Sequence, residues 1–97
     1  MELEIKVCDS LKLETFDSCD RPIEQCIPEE IINGEIYRFI KYGQLVFNLK
    51  RNISLTENRE GGTSNQVALV KILESTHYLE GDMPWTKGTY RIIKKLG

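Results

Sequence analysis

Aromatic and basic side chains alternate in two stretches of the sequence, IYRFIKYGQLVFNLKR at 36–51 and MPWTKGTYRIIKK at 83–95. Aromatic rings stack on unpaired bases while lysine and arginine follow the phosphates, so this mixture is typical of a surface that binds single-stranded nucleic acid. The sequence therefore predicts an RNA or single-stranded nucleic-acid site. Its candidate residues are Arg38, Lys41, Tyr42, Lys50, Arg51, Trp85, Lys87, Arg91, Lys94 and Lys95.

The distribution of charge favours a basic surface in the C-terminal two-thirds of the chain. The net charge is −2, but residues 1–35 carry −7, from three cations and ten carboxylates. Residues 36–97 carry +5, from ten cations and five carboxylates. Surfaces of opposite sign steer charged partners. The alternative is that the two halves neutralise each other across a sheet, where opposite charges on neighbouring strands are stabilising.

Side chains able to support catalysis are few. His77 is the only histidine and the only obvious candidate base. Ser75 shares its strand face, but two such residues do not make a positioned catalytic constellation. The Gly61–Gly62 pair lacks the lysine, hydroxyl and spacing of a phosphate-binding loop. We therefore predict a non-catalytic module without a cofactor.

The three cysteines favour neither a disulfide framework nor a zinc site. Cys8, Cys19 and Cys26 are odd in number and lack the tight spacing of a zinc knuckle. No metal is predicted, and reduced, partly buried thiols are the expected state. The chain has no apolar run long enough to span a bilayer, and its acidic N-terminus is unlike a signal peptide. A cytoplasmic location without membrane contact is the resulting expectation.

Alternating hydrophobicity predicts strands through most of the sequence. Residues 2–8 place Leu3, Ile5 and Val7 on one side, and a turn at 8–10 predicts a hairpin with 11–16. The run VALVKILESTHYL at 67–79 predicts a strand buried on both faces, with a short buried helix as the alternative. Further turns are predicted around 81–84 and at Gly88, before a final strand.

Two segments carry other signals. PEEIING at 28–34 predicts a short helix, because Pro28 suits the first helical position and Gly34 suits a left-handed C-terminal residue. Residues 52–66 are polar and end near a glycine pair, which indicates a mobile loop or a hairpin arm.

The strands on either side of Gly43 predict a hairpin, and its register decides which side chains face the core. A two-residue loop, 42–43, would expose Tyr37 and Phe39 together with lysines. A three-residue loop, 41–43, would bury both aromatics beside Leu45 and Phe47. The three-residue loop is favoured, since Gly43 supplies the left-handed residue that such loops need, whereas tyrosine is poor in a type I′ turn.

These elements together predict a single domain over residues 1–97. Its fold class is mainly β with one short helix, as a small antiparallel β-barrel or strongly curved sheet, PUA-like or SH3-like in style. The helix ending at Gly34, followed by FIKYGQLVFNL and VALVKILESTHYL, is similar to small PUA-like and ASCH-type barrels over about half of the chain. Ile36 stands where the ASCH pattern has a lysine, and only Arg38 could serve as its arginine. The resemblance therefore implies a fold and no site residue.

The functional hypothesis is a non-catalytic small β-barrel that binds RNA or single-stranded nucleic acid through its basic surface. The alternative is a protein-interaction or inhibitor module, which would dock through the acidic N-terminal half or through the 52–66 arm. Glu24, Glu29 and Glu30 are the carboxylates that would contact such a protein partner. The chain is expected to be a monomer or a homodimer that pairs through a strand edge.

Overall fold

A computed structural model describes residues 5–14, 23–58 and 64–96 of the chain. Strands account for 73% of the structure and helix for 4%, so the chain is mainly β, as predicted. A single-turn 3₁₀ helix spans Ile23–Gln25. The strands of the described part are β1 (Ile5–Cys8), β2 (Ser10–Glu14), β3 (Ile36–Tyr42), β4 (Gln44–Phe47), β5 (Asn52–Asn58), β6 (Ser64–Glu80) and β7 (Met83–Lys95).

The strands form a five-stranded sheet in the order β2-β5-β6-β7-β3 and a two-stranded sheet of β1 and β4. Three ladders are antiparallel, and the pairs β1–β4 and β2–β5 are parallel. The long β6–β7 hairpin is the centre of the fold. Its two-residue loop places Gly81 at the first position with φ +62°, a conformation that glycine adopts without strain.

Both sheets are open, so the structure does not confirm a closed barrel or a PUA-like or SH3-like style. The large sheet is nevertheless strongly curved. Its edge strands β2 and β3 would lie about 19 Å apart in a flat sheet, yet the Lys41 ammonium of β3 donates a hydrogen bond to the Lys12 carbonyl oxygen of β2. At the edge of β2 that faces away from β5, the one backbone bridge among the described residues joins Glu14 to Cys26.

The concave side of the large sheet holds the core. Phe39 is fully buried between Phe47, in an edge-to-face contact at 5.5 Å, and Tyr90, at 6.1 Å between ring centroids. Burying such side chains contributes about 1.5–3 kcal/mol each. The core is completed by Leu11, Leu13, Ile27, Leu45, Ile53, Leu55, Ala68, Val70, Ile72 and Ile92. The opposite side of β6, β7 and β3 is consequently left to solvent.

The predicted N-terminal hairpin is wrong, because β1 pairs in parallel with β4 and β2 pairs in parallel with β5. Only Asp9 separates the two strands, too short a connection for an antiparallel hairpin. The chain changes sheets there so that Leu11 enters the core opposite Leu55. Val7, predicted to face the core, is 75% exposed, and Leu3 lies outside the described residues.

The predicted helix at 28–34 is also wrong. The Ile27 N–H donates to the Glu14 carbonyl oxygen at 2.8 Å, and the Gly34 N–H donates to the Ile92 carbonyl oxygen at 2.7 Å. These bonds tie both ends of the segment to strands, and Glu35 continues the second attachment. Tertiary pairing therefore overrides a helical signal of only two turns, which is marginal by itself.

The strands around Gly43 do not pair with each other, so neither predicted hairpin register exists. β3 pairs with β7, and β4 pairs with β1. The faces nevertheless follow the three-residue-loop alternative, since Phe39, Leu45 and Phe47 are buried while Arg38 is exposed. Alternation fixes which side chains share a face whatever strand lies alongside.

The long strands β6 and β7 correct two further predictions. β6 buries Val70 and Ile72 but exposes Lys71, so it is not buried on both faces. β7 runs straight through Gly88, where a turn was predicted. Of the segment 52–66, predicted as a mobile loop or a hairpin arm, residues 52–58 and 64–66 lie in the antiparallel strands β5 and β6, and residues 59–63 lie outside the described part of the chain. Among the described residues, no helix is long and apolar enough to cross a membrane.

Tyr90 offers a first test of the core. Its side chain is fully buried, and its hydroxyl has no hydrogen-bond partner among the described residues. Burial, together with the neighbouring Tyr37, raises the pKa of Tyr90 above its ordinary value. The unfolded chain therefore ionises this tyrosine near pH 10 while the folded chain keeps it protonated. Stability should fall above pH 10, by up to about 1.4 kcal/mol per pH unit from this group.

Tyr90→Phe is expected to raise the free energy of unfolding at pH 7 by about 1 kcal/mol, because it removes an unsatisfied buried hydroxyl. The variant should also lose less stability than the wild type between pH 10 and pH 11. Urea unfolding at pH 7, 10 and 11 measures both effects, with exposed Tyr42→Phe as the control. Equal alkaline losses in the wild type and in Tyr90→Phe would contradict the expectation.

Candidate nucleic-acid interface

The solvent-facing side of β6, β7 and β3, hereafter the outer face, presents side chains in four cross-strand rows. The rows, each from β6 through β7 to β3, are Tyr78, Trp85 and Tyr42; Thr76, Lys87 and Ile40; Glu74, Thr89 and Arg38; and Lys71, Arg91 and Ile36. Aromatic rings thus occupy one end of the outer face and a pair of cations the other.

The aromatic row is held by the β6–β7 hairpin and the end of β3. Tyr42 and Trp85 meet edge to face, with ring centroids 5.5 Å apart. The Gly43 N–H donates to the Pro84 carbonyl oxygen at 2.9 Å, which extends the β3–β7 ladder and keeps these two rings in register. Tyr42 is 55% exposed, while Trp85 and Tyr78 are half-buried. Ring surface is therefore available to a ligand.

Cations lie next to the rings. The Lys87 ammonium sits 5.1 Å from the centroid of the Tyr78 ring, within the range of a cation–π contact. Lys87 and Arg38 border a shallow groove of about 350 Å³, which Glu24 and Glu74 also line. The middle of the outer face is thus polar and of mixed charge.

Lys71 and Arg91 form the far end of the outer face. They are direct cross-strand partners on β6 and β7, and both are exposed. Like charges placed opposite each other destabilise a sheet. The neutralisation of charge across the sheet, one alternative from the sequence, does not occur at this pair. A paired cation that weakens the fold is consistent with binding an anion.

A second groove, of about 310 Å³, adjoins the aromatic row at the curved edge between β3 and β2. Tyr42 and Trp85 line one side of this groove, and Lys12 and Glu14 line another. Lys41 also lines this groove, and its ammonium donates a hydrogen bond to the Lys12 carbonyl oxygen. A flat ring system stacked on Tyr42 or Trp85 would have polar groups beside it.

Of the ten residues predicted for the site, five share the outer face: Arg38, Tyr42, Trp85, Lys87 and Arg91. The other five lie outside these four rows. Lys41 is in the row of buried Thr86, on the core side of β3. Lys50 and Arg51 are exposed in the connection that leads into β5. Lys94 and Lys95 are exposed at the end of β7, beyond Arg91, and Lys94 pairs with Leu69, on the same side of β6 as Lys71.

Two outer-face residues, Lys71 and Tyr78, were missed from the sequence. Both fall in the run interpreted as buried on both faces. The available signal was Lys71 itself, since a lysine between Val70 and Ile72 shows that one face of this strand meets water.

His77, the predicted candidate base, holds β4 in place. Its Nε2 lies 2.7 Å from the Leu45 carbonyl oxygen and donates a hydrogen bond to it. Thr86, its partner on β7, accepts from the Leu45 N–H at 3.0 Å and donates to the Gly43 carbonyl oxygen at 2.7 Å. The two side chains tie the chain around β4 to the end of the β6–β7 hairpin.

Thr86→Val is expected to lower the free energy of unfolding by about 2–3 kcal/mol, because it keeps the side-chain shape but leaves two backbone groups without a partner. Thr76→Val, on the exposed side of β6, serves as the matched control and should change stability little. Chemical denaturation measures both. A Thr86→Val variant as stable as Thr76→Val would show that the two bonds do not hold β4.

No group of three or more metal-ligating side chains comes together among the described residues. Cys26 is buried and Cys8 is half-buried, while Cys19 lies outside the part of the chain that the structure describes.

Comparison of the chain with protein families, with curated proteins and with solved structures finds no match. The structure itself defines the chain as a mainly β protein with open sheets.

Proposed function

We propose that this chain is a non-catalytic module that binds single-stranded nucleic acid, RNA in the first place, through the outer face. The observation that carries the proposal is the continuity of the aromatic row with the cations of β3, β6 and β7. Bases would stack on Trp85 and Tyr42, and phosphates would lie along Lys87 and Arg91. Such stacking accepts any base, so the module would show little sequence preference.

The dimensions of the outer face suit a short strand. Successive rows along a strand lie about 6.7 Å apart. The aromatic row and the Lys71–Arg91 pair are three rows apart, or about 20 Å. That length suits a short segment of an extended single strand.

The charge of the outer face sets the strength of binding. Its four rows hold four cations: Arg38, Lys71, Lys87 and Arg91. Glu74 partly offsets them, and the whole chain is acidic, so binding should be modest and confined to this surface. Contact with up to four phosphates of a single strand gives a slope of log K against log salt of about −2.8 at most.

The direct test is titration of a fluorescein-labelled eight-nucleotide RNA of mixed sequence at several salt concentrations. We expect binding at 50 mM salt that weakens with a slope of about −2 to −2.8. Trp85 is the only tryptophan, so quenching of its fluorescence reports whether the aromatic row is engaged. Absence of binding at 50 mM salt, or binding without quenching, would overturn the proposal.

Trp85→Ala is expected to weaken RNA binding about tenfold or more, since stacking contributes about 1–3 kcal/mol per base. The salt slope should stay unchanged, because the indole carries no charge. Leu79→Ala is the control: this exposed residue lies next to Tyr78 on β6 and points to the other side. Equal losses in the two variants would show that the aromatic row is not the stacking surface.

A further inference from the structure

A groove of different chemistry lies beside the 3₁₀ helix and β3, and Glu24 and Arg38 border both this groove and the one on the outer face. Its volume is about 440 Å³, within the range of ligand pockets. Ile23, Pro28 and Tyr37 provide an apolar floor. Ile23 is 69% exposed. The floor is thus a small apolar surface open to a partner.

The walls of the groove are fixed by hydrogen bonds to backbone carbonyl oxygens. The Tyr37 hydroxyl donates to the Glu30 carbonyl oxygen at 3.0 Å, which joins the segment after the 3₁₀ helix to β3. The Ile27 N–H donates to the Glu14 carbonyl oxygen and attaches the same segment to β2. The groove is therefore formed before any ligand arrives, which lowers the entropic cost of binding.

The rim of the groove is acidic. Glu24, Glu29 and Glu30 line it, and Arg38 is the single cation among the described residues of its lining. This charge repels nucleic acid and attracts cations. A metal ion would not need the apolar floor, and the described residues contain no group of metal-ligating side chains able to hold one. The floor and the rim together fit a ligand with both apolar and basic side chains.

We propose that this groove docks a short extended segment of a partner protein, in which basic residues flank an apolar side chain. The apolar side chain would cover Ile23 and Tyr37, and the flanking cations would meet Glu29 and Glu30. The proposal does not depend on nucleic-acid binding by the outer face, because the residues that carry it, Ile23, Glu29, Glu30 and Tyr37, lie outside the four rows of that face.

The test uses three fluorescein-labelled peptides and the full chain. They consist of four repeats of leucine–arginine, of serine–arginine and of leucine–glutamate. We expect saturable one-to-one binding of the leucine–arginine peptide, at least tenfold weaker binding of the serine–arginine peptide, and none of the leucine–glutamate peptide. Binding of the serine–arginine peptide as tight as that of the leucine–arginine peptide would overturn the proposal, since the floor would then play no part.

Charge-reversal variants locate the site. Glu29→Lys combined with Glu30→Lys should weaken binding of the leucine–arginine peptide at least tenfold. Glu80→Lys combined with Asp82→Lys makes the same change of charge at the β6–β7 loop and should leave binding intact. If both double variants weakened binding equally, the peptide would be responding to the net charge of the chain, and the proposal would be wrong. All four positions are exposed, so both variants should fold.

Discussion

Gly88→Ala is expected to lower the free energy of unfolding by at least about 3 kcal/mol, which is above the usual range for a single substitution. A Cβ atom at this position would lie 2.0 Å from the Glu74 carbonyl oxygen and 2.9 Å from Cε1 of Phe39. Neither distance is compatible with atomic contact, so the backbone of β6 or the ring of Phe39 must move.

Relaxation around Gly88 is restricted on both sides. Gly88 is paired with Ser75 on β6 and with Phe39 on β3, in the middle of the large sheet. The register of β6 against β7 shifts between Ile72 and Glu74, next to the carbonyl that a Cβ would meet. Phe39 is fully buried and cannot turn away without disrupting the aromatic core. An added methyl group at such a site lowers the free energy of unfolding more than it would in a core whose side chains can rearrange.

Gly81→Ala is the matched control, because the same methyl group would have no atom within 4 Å. Its cost should be about 1 kcal/mol, from the positive φ alone. Urea unfolding of both variants measures the difference. If Gly88→Ala were no more destabilising than Gly81→Ala, the close approach of the two strands at Gly88 would be wrong.

Gly88 also shows what the sequence could not reveal. A glycine between polar residues predicts a turn when only its neighbours are considered. Its role here is to let a carbonyl of another strand come close, and that depends on Glu74, fourteen positions earlier in the chain. The same limit applies to the strand pairs: alternation showed which residues of β3 and β4 face the core, but partner choice rests on distant contacts.

The candidate site could likewise be predicted from the sequence only in part. Trp85, Lys87 and Arg91 share a face because β7 runs straight through Gly88, where the sequence predicts a turn. Arg38 and Tyr42 join them only because β3 pairs with β7, and Lys71 and Tyr78 join only through the β6–β7 register. Like-charge pairing of Lys71 with Arg91 is visible only once that register is known.

Arg91→Glu is expected to change stability and RNA binding in opposite directions. The new carboxylate would face Lys71 on the neighbouring strand, so an ion pair replaces a like-charge pair and should raise the free energy of unfolding by a few tenths of a kcal/mol. The substitution also removes one phosphate contact and engages Lys71 in the new pair. RNA affinity at 50 mM salt should fall at least tenfold, and the salt slope should fall by about 1.4, the equivalent of two contacts.

Three further variants separate this effect from a general change of charge. Arg51→Glu makes the same change on an exposed residue outside the outer face, and RNA affinity should fall much less. Lys71→Glu alone should stabilise the chain as Arg91→Glu does, because it also forms an ion pair across the two strands. Lys71→Glu combined with Arg91→Glu restores like-charge repulsion, so stability should return toward the wild-type value while RNA binding stays weak. This cycle isolates the coupling of the two side chains. If Arg51→Glu lost as much RNA affinity as Arg91→Glu, the Lys71–Arg91 pair would not be a specific anion-binding site. If the changes in stability were additive across the cycle, the two side chains would not repel each other, and the pair would not lower the stability of the fold.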